Sequence, residues 1–124
     1  MALVLCTGVD KVLLETRKLI LEHAGHTVVS VSDEPSLVRA CQNHSFDVAV
    51  IGQTVSANMK RHVASIIKQN CEGVKLLELY PQFSKQVLSE ADAALSVPVD
   101  IPHDLADRVK ELAGQKKADE AKSS

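Results

Sequence analysis

Short apolar runs alternate with amphipathic stretches along most of the chain. Several runs are apolar at nearly every position, which is typical of strands buried on both faces of a parallel sheet. Between the runs, apolar residues recur three and four positions apart, and this spacing predicts helices with one buried side. The predicted strands are Ala2–Cys6, Thr27–Val31, Val48–Ile51, Val74–Leu79 and Ala94–Val97.

Five helices are expected to follow these strands in turn. They are Val9–Ala24, a helix capped by Ser32 or Asp33 that ends near Asn43, Met59–Asn70, Ser84–Glu90, and a last helix through Leu105, Val109 and Leu112 that stops at Gly114. Strict strand–helix alternation implies right-handed crossovers and a parallel sheet with helices on both faces. The fold class predicted is α/β: a doubly wound, five-stranded, flavodoxin-like three-layer sandwich in strand order 2-1-3-4-5. Residues 1–114 form this domain, and the polar residues 115–124 are expected to be disordered.

Composition narrows the function classes. The chain has 124 residues, 45% of them hydrophobic and 24% charged, which is enough to bury a core without a metal. The net charge is −2 and aromatic residues make up 2%, so neither a basic surface nor a set of stacking rings favours nucleic acid. No apolar run approaches the length of a membrane span. We expect a cytoplasmic protein that contacts neither nucleic acid nor membrane.

The cysteines and histidines offer no metal site. Cys6, Cys41 and Cys71 are widely spaced and sit in apolar contexts, so buried free thiols in a reducing compartment are expected. The five histidines show no HxH or HxxxH spacing. Cys6 alone ends a strand ahead of a helix, where a thiolate could be stabilised and act as a nucleophile. No metal and no cofactor is predicted.

Ligands of open parallel sheets bind beyond the carboxyl ends of the strands. The residues there include Thr7, Gly8 and Val9 after the first strand and Gly52 after the third. The phosphate- and dinucleotide-binding motifs GxxxxGK[ST] and GxGxxG are absent from these positions.

Three stretches together resemble the receiver domains of response regulators (CheY-like domains). Leu19–Val31 is similar to the family's passage from first helix to second strand, and Ser45–Ile51 to its run into the third strand. Ala91–Val99 is similar to its fifth strand and the following proline, Pro98, whose preceding peptide bond is expected to be cis. The resemblance covers residues 2 to 113. One departure is the short segment Leu79–Val97, which implies a clipped fourth helix.

The resemblance implies a phosphorylation site whose chemical groups are missing. Receivers take a phosphoryl group on an aspartate at the end of the third strand and hold magnesium with a pair of acids after the first. A lysine before the fifth-strand proline contacts the phosphoryl group. Carried over to this sequence, the phosphoacceptor position is Gly52, the acid pair falls within Thr7, Gly8 and Val9, and the lysine position is Val97. The hydroxyl switch position falls on Leu79 or Tyr80, and the aromatic switch position on Ala94. Asp10 is the only nearby carboxylate. Magnesium requires more oxygen ligands than one carboxylate supplies.

The predicted function is that of a non-phosphorylatable receiver-like signalling module (a pseudo-receiver) that is not an enzyme. The resemblance implies contact with a protein partner or a second copy through the fourth helix, fifth strand and fifth helix. The residues expected on that face are Val87, Ala94, Ser96, Leu105 and Arg108. Two alternatives stay open: a phosphocarrier or thiol enzyme using Cys6, as in the IIB domains of sugar phosphotransferases, and a small-molecule sensor.

Overall fold

A computed structural model describes residues 2–97 and 103–123, which alternate between strands and helices up to the end of β4. Its elements are β1 (Leu3–Thr7), α1 (Lys11–His23), β2 (Thr27–Val31), α2 (Glu34–Asn43), β3 (Val48–Ile51), α3 (Ala57–Asn70), β4 (Lys75–Pro81), β5 (Ala93–Val97) and α4 (His103–Ser123). The five strands form one sheet in the order β2-β1-β3-β4-β5, and every neighbouring pair is parallel. The predicted fold class is confirmed. Pro98 lies outside the described residues.

The sheet is covered on both faces, which explains why its central strands are apolar throughout. Side chains alternate along a strand, so Val4 and Cys6 face one core while Leu5 faces the other. The first core packs against α1 and α4, and the second against α2 and α3. β3 is fully buried over its whole length.

Side-chain caps fix the start of the first three helices at the carboxyl edge of the sheet. The Asp10 carboxylate accepts the backbone N–H groups of Val12 and Leu13, and Asp33 accepts that of Ser36. The Ser56 hydroxyl accepts the N–H at the third position of α3 in the same way. Each cap satisfies a donor that has no partner within the helix. Of the two caps expected for α2, Asp33 is the one used.

The helix predicted at Ser84–Glu90 is wrong, because residues 82–92 form turns and irregular backbone. The Glu78 carboxylate, at the end of the buried part of β4, accepts the backbone N–H groups of Val87 and Leu88 at 2.7–3.1 Å. The Leu88 side chain is fully buried in the second core. These contacts hold residues 82–92 against β4 and the second core, and they satisfy the backbone N–H groups of Val87 and Leu88.

The last helix does not stop at Gly114, so the prediction of disorder after that residue is wrong for residues 115–123. One glycine within a helix costs only about 1 kcal/mol, and tertiary contacts here offset it. Lys116 is 5% exposed, and its Nζ donates to the Phe46 carbonyl at 2.9 Å and lies 3.5 Å from Asp47 Oδ1. Further along, Asp119 accepts a 2.6 Å hydrogen bond from Lys75.

Cys41 and Cys71 form a disulfide, so the prediction of three free thiols is wrong for this pair. The bond joins the last turn of α2 to the residue that caps the end of α3, with 5.0 Å between the two Cα atoms. α2 and α3 lie side by side on one face of the sheet, which brings together residues 30 positions apart. Cys6 is free and buried. Because stable disulfides are rare in reducing compartments, the cytoplasmic location stays a prediction. No described helix is both long and apolar enough to cross a membrane.

Candidate functional site

The residues carried over from the receiver resemblance meet only in part. The Gly52 N–H donates to the Thr7 carbonyl at 3.0 Å, so the ends of β1 and β3 adjoin directly. Across the sheet, Ile51 is in register with Glu78, and Glu78 with Ala94. Val97, the position assigned to the lysine, lies three residues beyond that level and pairs with the last residue of β4. Thr7, Gly8 and Gly52 therefore form the centre of the candidate site, and Val97 lies outside it.

A buried arginine covers Gly52. A Cβ atom placed on this glycine would lie 2.9 Å from Arg17 Nη1 and 3.2 Å from the Thr7 carbonyl oxygen. Arg17 is 7% exposed, and its Nη2 donates to the side-chain carbonyl of Gln53. The missing side chain at position 52 thus leaves the room in which the guanidinium lies.

Sequence reasoning missed Arg17, although a signal for it exists. Leu14, Arg17 and Leu21 are spaced three and four residues apart and are the buried residues of α1. An arginine on the buried stripe of a helix must direct its charge to some polar site at the end of its side chain. Here that site is the carboxyl edge of the sheet.

The Arg17 guanidinium gives the site a positive charge. The resemblance to receivers implies acids and a magnesium ion at the same place. Burial lowers the pKa of Arg17, while the nearby Cys6 thiol and the Asp10 carboxylate act to raise it. A guanidinium stays protonated in proteins. None of the ion pairs found among the described residues includes Arg17.

The donor set does not fit a magnesium ion. Asp10 is the carboxylate nearest the end of β1, and it is engaged in capping α1. In the part of the chain that the structure describes, no three His, Cys, Asp or Glu side chains group as metal ligands. The Arg17 guanidinium would also repel a divalent cation at Gly52. These residues therefore provide neither the oxygen ligands nor the negative charge that magnesium requires.

The free thiol of Cys6 lies inside the first core. Its residue is 1% exposed, and burial raises the pKa of the thiol to about 12, with the Arg17 charge acting in the opposite direction by less. A thiol is nucleophilic as the thiolate, and its reactivity therefore depends on a low pKa and on access. Cys6 has neither property.

A second buried polar group, also missed by sequence reasoning, lies beside the end of β4. Lys60 Nζ donates to Glu78 Oε2 at 2.9 Å and to the Leu79 carbonyl at 2.7 Å, and both charged residues are at most 2% exposed. Burial alone would raise the pKa of Glu78, but hydrogen bonds from the Val87, Lys60 and Leu88 donors together hold it below its ordinary value. Of the predicted switch positions, Leu79 is buried and Tyr80 is partly exposed. The Lys60–Glu78 ion pair thus holds in place the carboxylate that binds residues 87 and 88, in the segment where a fourth helix was expected.

The predicted interaction face is not one continuous surface. Leu105 is 5% exposed and belongs to the first core, so it is a core residue. Val87 packs against the second core, on the opposite side of the sheet. Ala94 and Ser96 are partly buried on the edge strand β5, and Arg108 lies partly exposed on α4 near Glu111.

Large apolar side chains are instead exposed at the carboxyl edge. Phe83, which follows β4, is 98% exposed, and Val9 after β1 is 61% exposed. Val12 and Met59, in the first turns of α1 and α3, are 75% and 46% exposed. These four residues follow strands or begin helices at the carboxyl edge of the sheet, and they are called the apolar rim below. Of the large hydrophobic residues exposed in the described part of the chain, only Leu19 lies elsewhere.

Comparison with solved structures shows that the fold is that of receiver domains. The structure is similar to the signal receiver domain of a modulated diguanylate cyclase from Desulfovibrio desulfuricans G20, with a TM-score of 0.77 and 19% identity over 96% of this chain and 98% of that one. It is also similar to the signal receiver domain of a putative Luxo repressor protein from Vibrio parahaemolyticus, with a TM-score of 0.81 and 12% identity over 99% and 98% of the two chains. The receiver domain of Francisella response regulator 1452 gives a TM-score of 0.76 and 19% identity over 93% and 98%. No protein-family model matches the sequence, and no curated protein matches it.

Proposed function

We propose that this chain is a receiver-like module that does not accept a phosphoryl group and that acts by binding another protein. The observation that carries the proposal is the Arg17 guanidinium, which lies over Gly52, the residue that the resemblance assigns to the phosphoacceptor position. Glycine offers no nucleophile there, and the guanidinium occupies the space in which a metal and a phosphoryl group would be held. In this proposal the fixed charge of Arg17 takes the place of the exchangeable magnesium ion of a receiver.

The acid pair, the phosphoacceptor aspartate and the lysine of receivers are all missing here, and the lack of each one fits the lack of the other two. A lysine near Gly52 would place a second buried cation beside Arg17, whereas the apolar Val97 adds no charge. A carboxylate pair after β1 would bind the guanidinium rather than magnesium. The site therefore holds one fixed positive charge and no residue at position 52 that could accept a phosphoryl group, which supports a role without phosphoryl transfer.

Exposure to phosphoryl donors tests the first half of the proposal. The protein is incubated with acetyl phosphate, or with beryllofluoride, in the presence of magnesium, and is followed by intact mass and by amide NMR spectra. We expect no added mass and no shifts around Gly52. A phosphoryl adduct on any residue, or beryllofluoride-dependent shifts near Thr7 and Gly52, would refute it.

Alkylation of Cys6 separates this proposal from a phosphocarrier or thiol enzyme. The disulfide removes Cys41 and Cys71 from the reaction, so the native protein reports on one thiol. With a pKa near 12, the thiol should react slowly with iodoacetamide at pH 7 and at the ordinary rate in denaturant. Fast alkylation of the folded protein, with a midpoint below pH 7, would instead support the enzyme hypothesis.

The apolar rim supports the second half of the proposal. A phenylalanine that is 98% exposed, with three further large apolar side chains exposed at the same edge, is suited to contact a partner. Phe83 is the most exposed of them and follows β4, beside the edge strand β5. We propose that the partner contacts Phe83 and the neighbouring residues of β5, including Ser96.

A further inference from the structure

A cavity of about 150 Å³ opens between α2 and α3 near the carboxyl edge of the sheet. It lies on the face opposite α1 and meets the candidate site at Thr7, Gly8 and Val9, but neither Arg17 nor Gly52 lines it. Its walls are almost wholly apolar. They are formed by Val31, Leu37, Val55, Met59, Val63 and Ile66.

The mouth of this cavity is acidic. Ser32, Asp33, Glu34 and His62 border it, and Glu34 Oε2 lies 3.1 Å from His62 Nε2. The side chains of this last pair are 58% and 54% exposed, so the carboxylate faces solvent at the opening. No lysine or arginine is among the described residues that line the cavity. An anionic ligand would therefore find no lysine or arginine there and would meet two carboxylates.

We propose that this cavity binds a small amine with an apolar body the size of one aromatic ring. An apolar cavity of about 150 Å³ is large enough to hold a benzene ring. The ring would contact the valine, leucine and isoleucine walls, and the ammonium group would lie at the mouth beside Asp33 and Glu34. This inference goes beyond the proposed function and does not depend on it, because α2 and α3 form the site whether or not Gly52 can be phosphorylated.

Three ring compounds that differ only in their polar end test the ligand class. Benzylamine, benzyl alcohol and benzoate are each titrated into the protein, and binding is followed by amide NMR shifts. Benzylamine should shift residues around Asp33 and Val63, and the alcohol should bind more weakly. Benzoate should bind about tenfold more weakly than the amine, because it loses one attraction and gains a repulsion of similar size.

Two variants, each with a matched control, test the location. Val63→Phe fills the cavity and should abolish benzylamine binding, whereas Leu19→Phe, which adds a ring at an exposed position of α1 outside the apolar rim, should leave it unchanged. Glu34→Gln should weaken benzylamine about two- to fivefold and leave benzyl alcohol unaffected. Glu15→Gln, exposed on α1, should change neither.

The results that overturn the proposal are equally direct. They are benzoate binding as tightly as benzylamine, benzylamine binding that survives Val63→Phe, or no saturable shifts from benzylamine at all. If Val63→Phe does not fold, as its NMR spectrum would show, Glu34→Gln decides because its exposed side chain is not needed for folding. An unchanged ratio of amine to alcohol affinity in that variant would then refute the assignment.

Discussion

An aspartate placed at Gly52, the position that the resemblance assigns to the phosphoacceptor, should create an internal ion pair rather than a phosphorylation site. In Gly52→Asp the new Cβ would lie 2.9 Å from Arg17 Nη1. The contact is with the far end of a flexible side chain, so the guanidinium can withdraw and accept the carboxylate as a partner. The Thr7 carbonyl, at 3.2 Å, is backbone and restricts the carboxylate to that direction.

The size of the effect follows from the geometry. An arginine next to an aspartate lowers the carboxyl pKa by about 1–3 units, and each unit corresponds to about 1.4 kcal/mol. The coupling between the new carboxylate and Arg17 should therefore be about 1.4–4 kcal/mol. Because the pKa is lowered in the folded state, this stability is present above the unfolded pKa of about 3.9. It is lost as the pH falls through the folded value.

A double-mutant cycle measures this coupling. The free energy of unfolding is determined for the wild type, Gly52→Asp, Arg17→Leu and the double variant, and carbon NMR follows the new carboxyl group. In the single variant, acetyl phosphate with magnesium should still add no mass. A coupling near zero, an ordinary carboxyl pKa beside Arg17, or phosphorylation of the single variant would each refute the reasoning.

Four further predictions concern other contacts between the elements and the exposed Phe83. Lys60→Met should lower the free energy of unfolding by about 3–5 kcal/mol, because it leaves the Glu78 carboxylate buried without its cation, and adding Glu78→Gln should restore part of the loss in urea titrations. Because hydrogen bonds hold the pKa of Glu78 low, its contribution should be present above about pH 4.3 and be lost below. Reductant should lower the free energy of unfolding by about 3–4 kcal/mol through loss of the Cys41–Cys71 bond, and a Cys41→Ser variant that is equally sensitive would contradict this. Phe83→Ser should leave the melting temperature within about 2 °C of the wild type, because its side chain is almost fully exposed, but abolish partner binding in a pull-down.

The arrangement at Gly52 puts a positive charge where the resemblance to receivers implies acids and magnesium. Open α/β sheets gather their ligands at the carboxyl edge because strand ends and helix starts meet there. In this chain the same edge holds the buried Arg17 guanidinium and the exposed residues of the apolar rim. In the function we propose, the fixed charge of Arg17 takes the place of an exchangeable magnesium ion, and the edge is recognised by a partner.

The local pattern was sufficient to predict most of the fold. Continuous apolar runs marked β1 and β3, because strands covered on both faces have no solvent side. Residues with three- and four-residue spacing marked α1 and α3, and Asp33 was one of two caps considered for α2. These features depend on neighbours within one or two turns, so the sequence carries them directly. The absence of a carboxylate at Gly52 was equally visible.

What the sequence alone determined is which surfaces are buried, and what only the tertiary structure decided is which distant groups meet. Arg17 lies on the buried stripe of α1, but its position over Gly52 depends on how that helix packs against the sheet. Glu78 holds residues 87 and 88 and so prevents the predicted fourth helix, and Cys41 reaches Cys71 because α2 and α3 end side by side. Periodicity reports burial one element at a time, whereas hydrogen bonds, ion pairs and disulfides between elements depend on the position of both partners in space. The chemistry of this site depends on such contacts between elements.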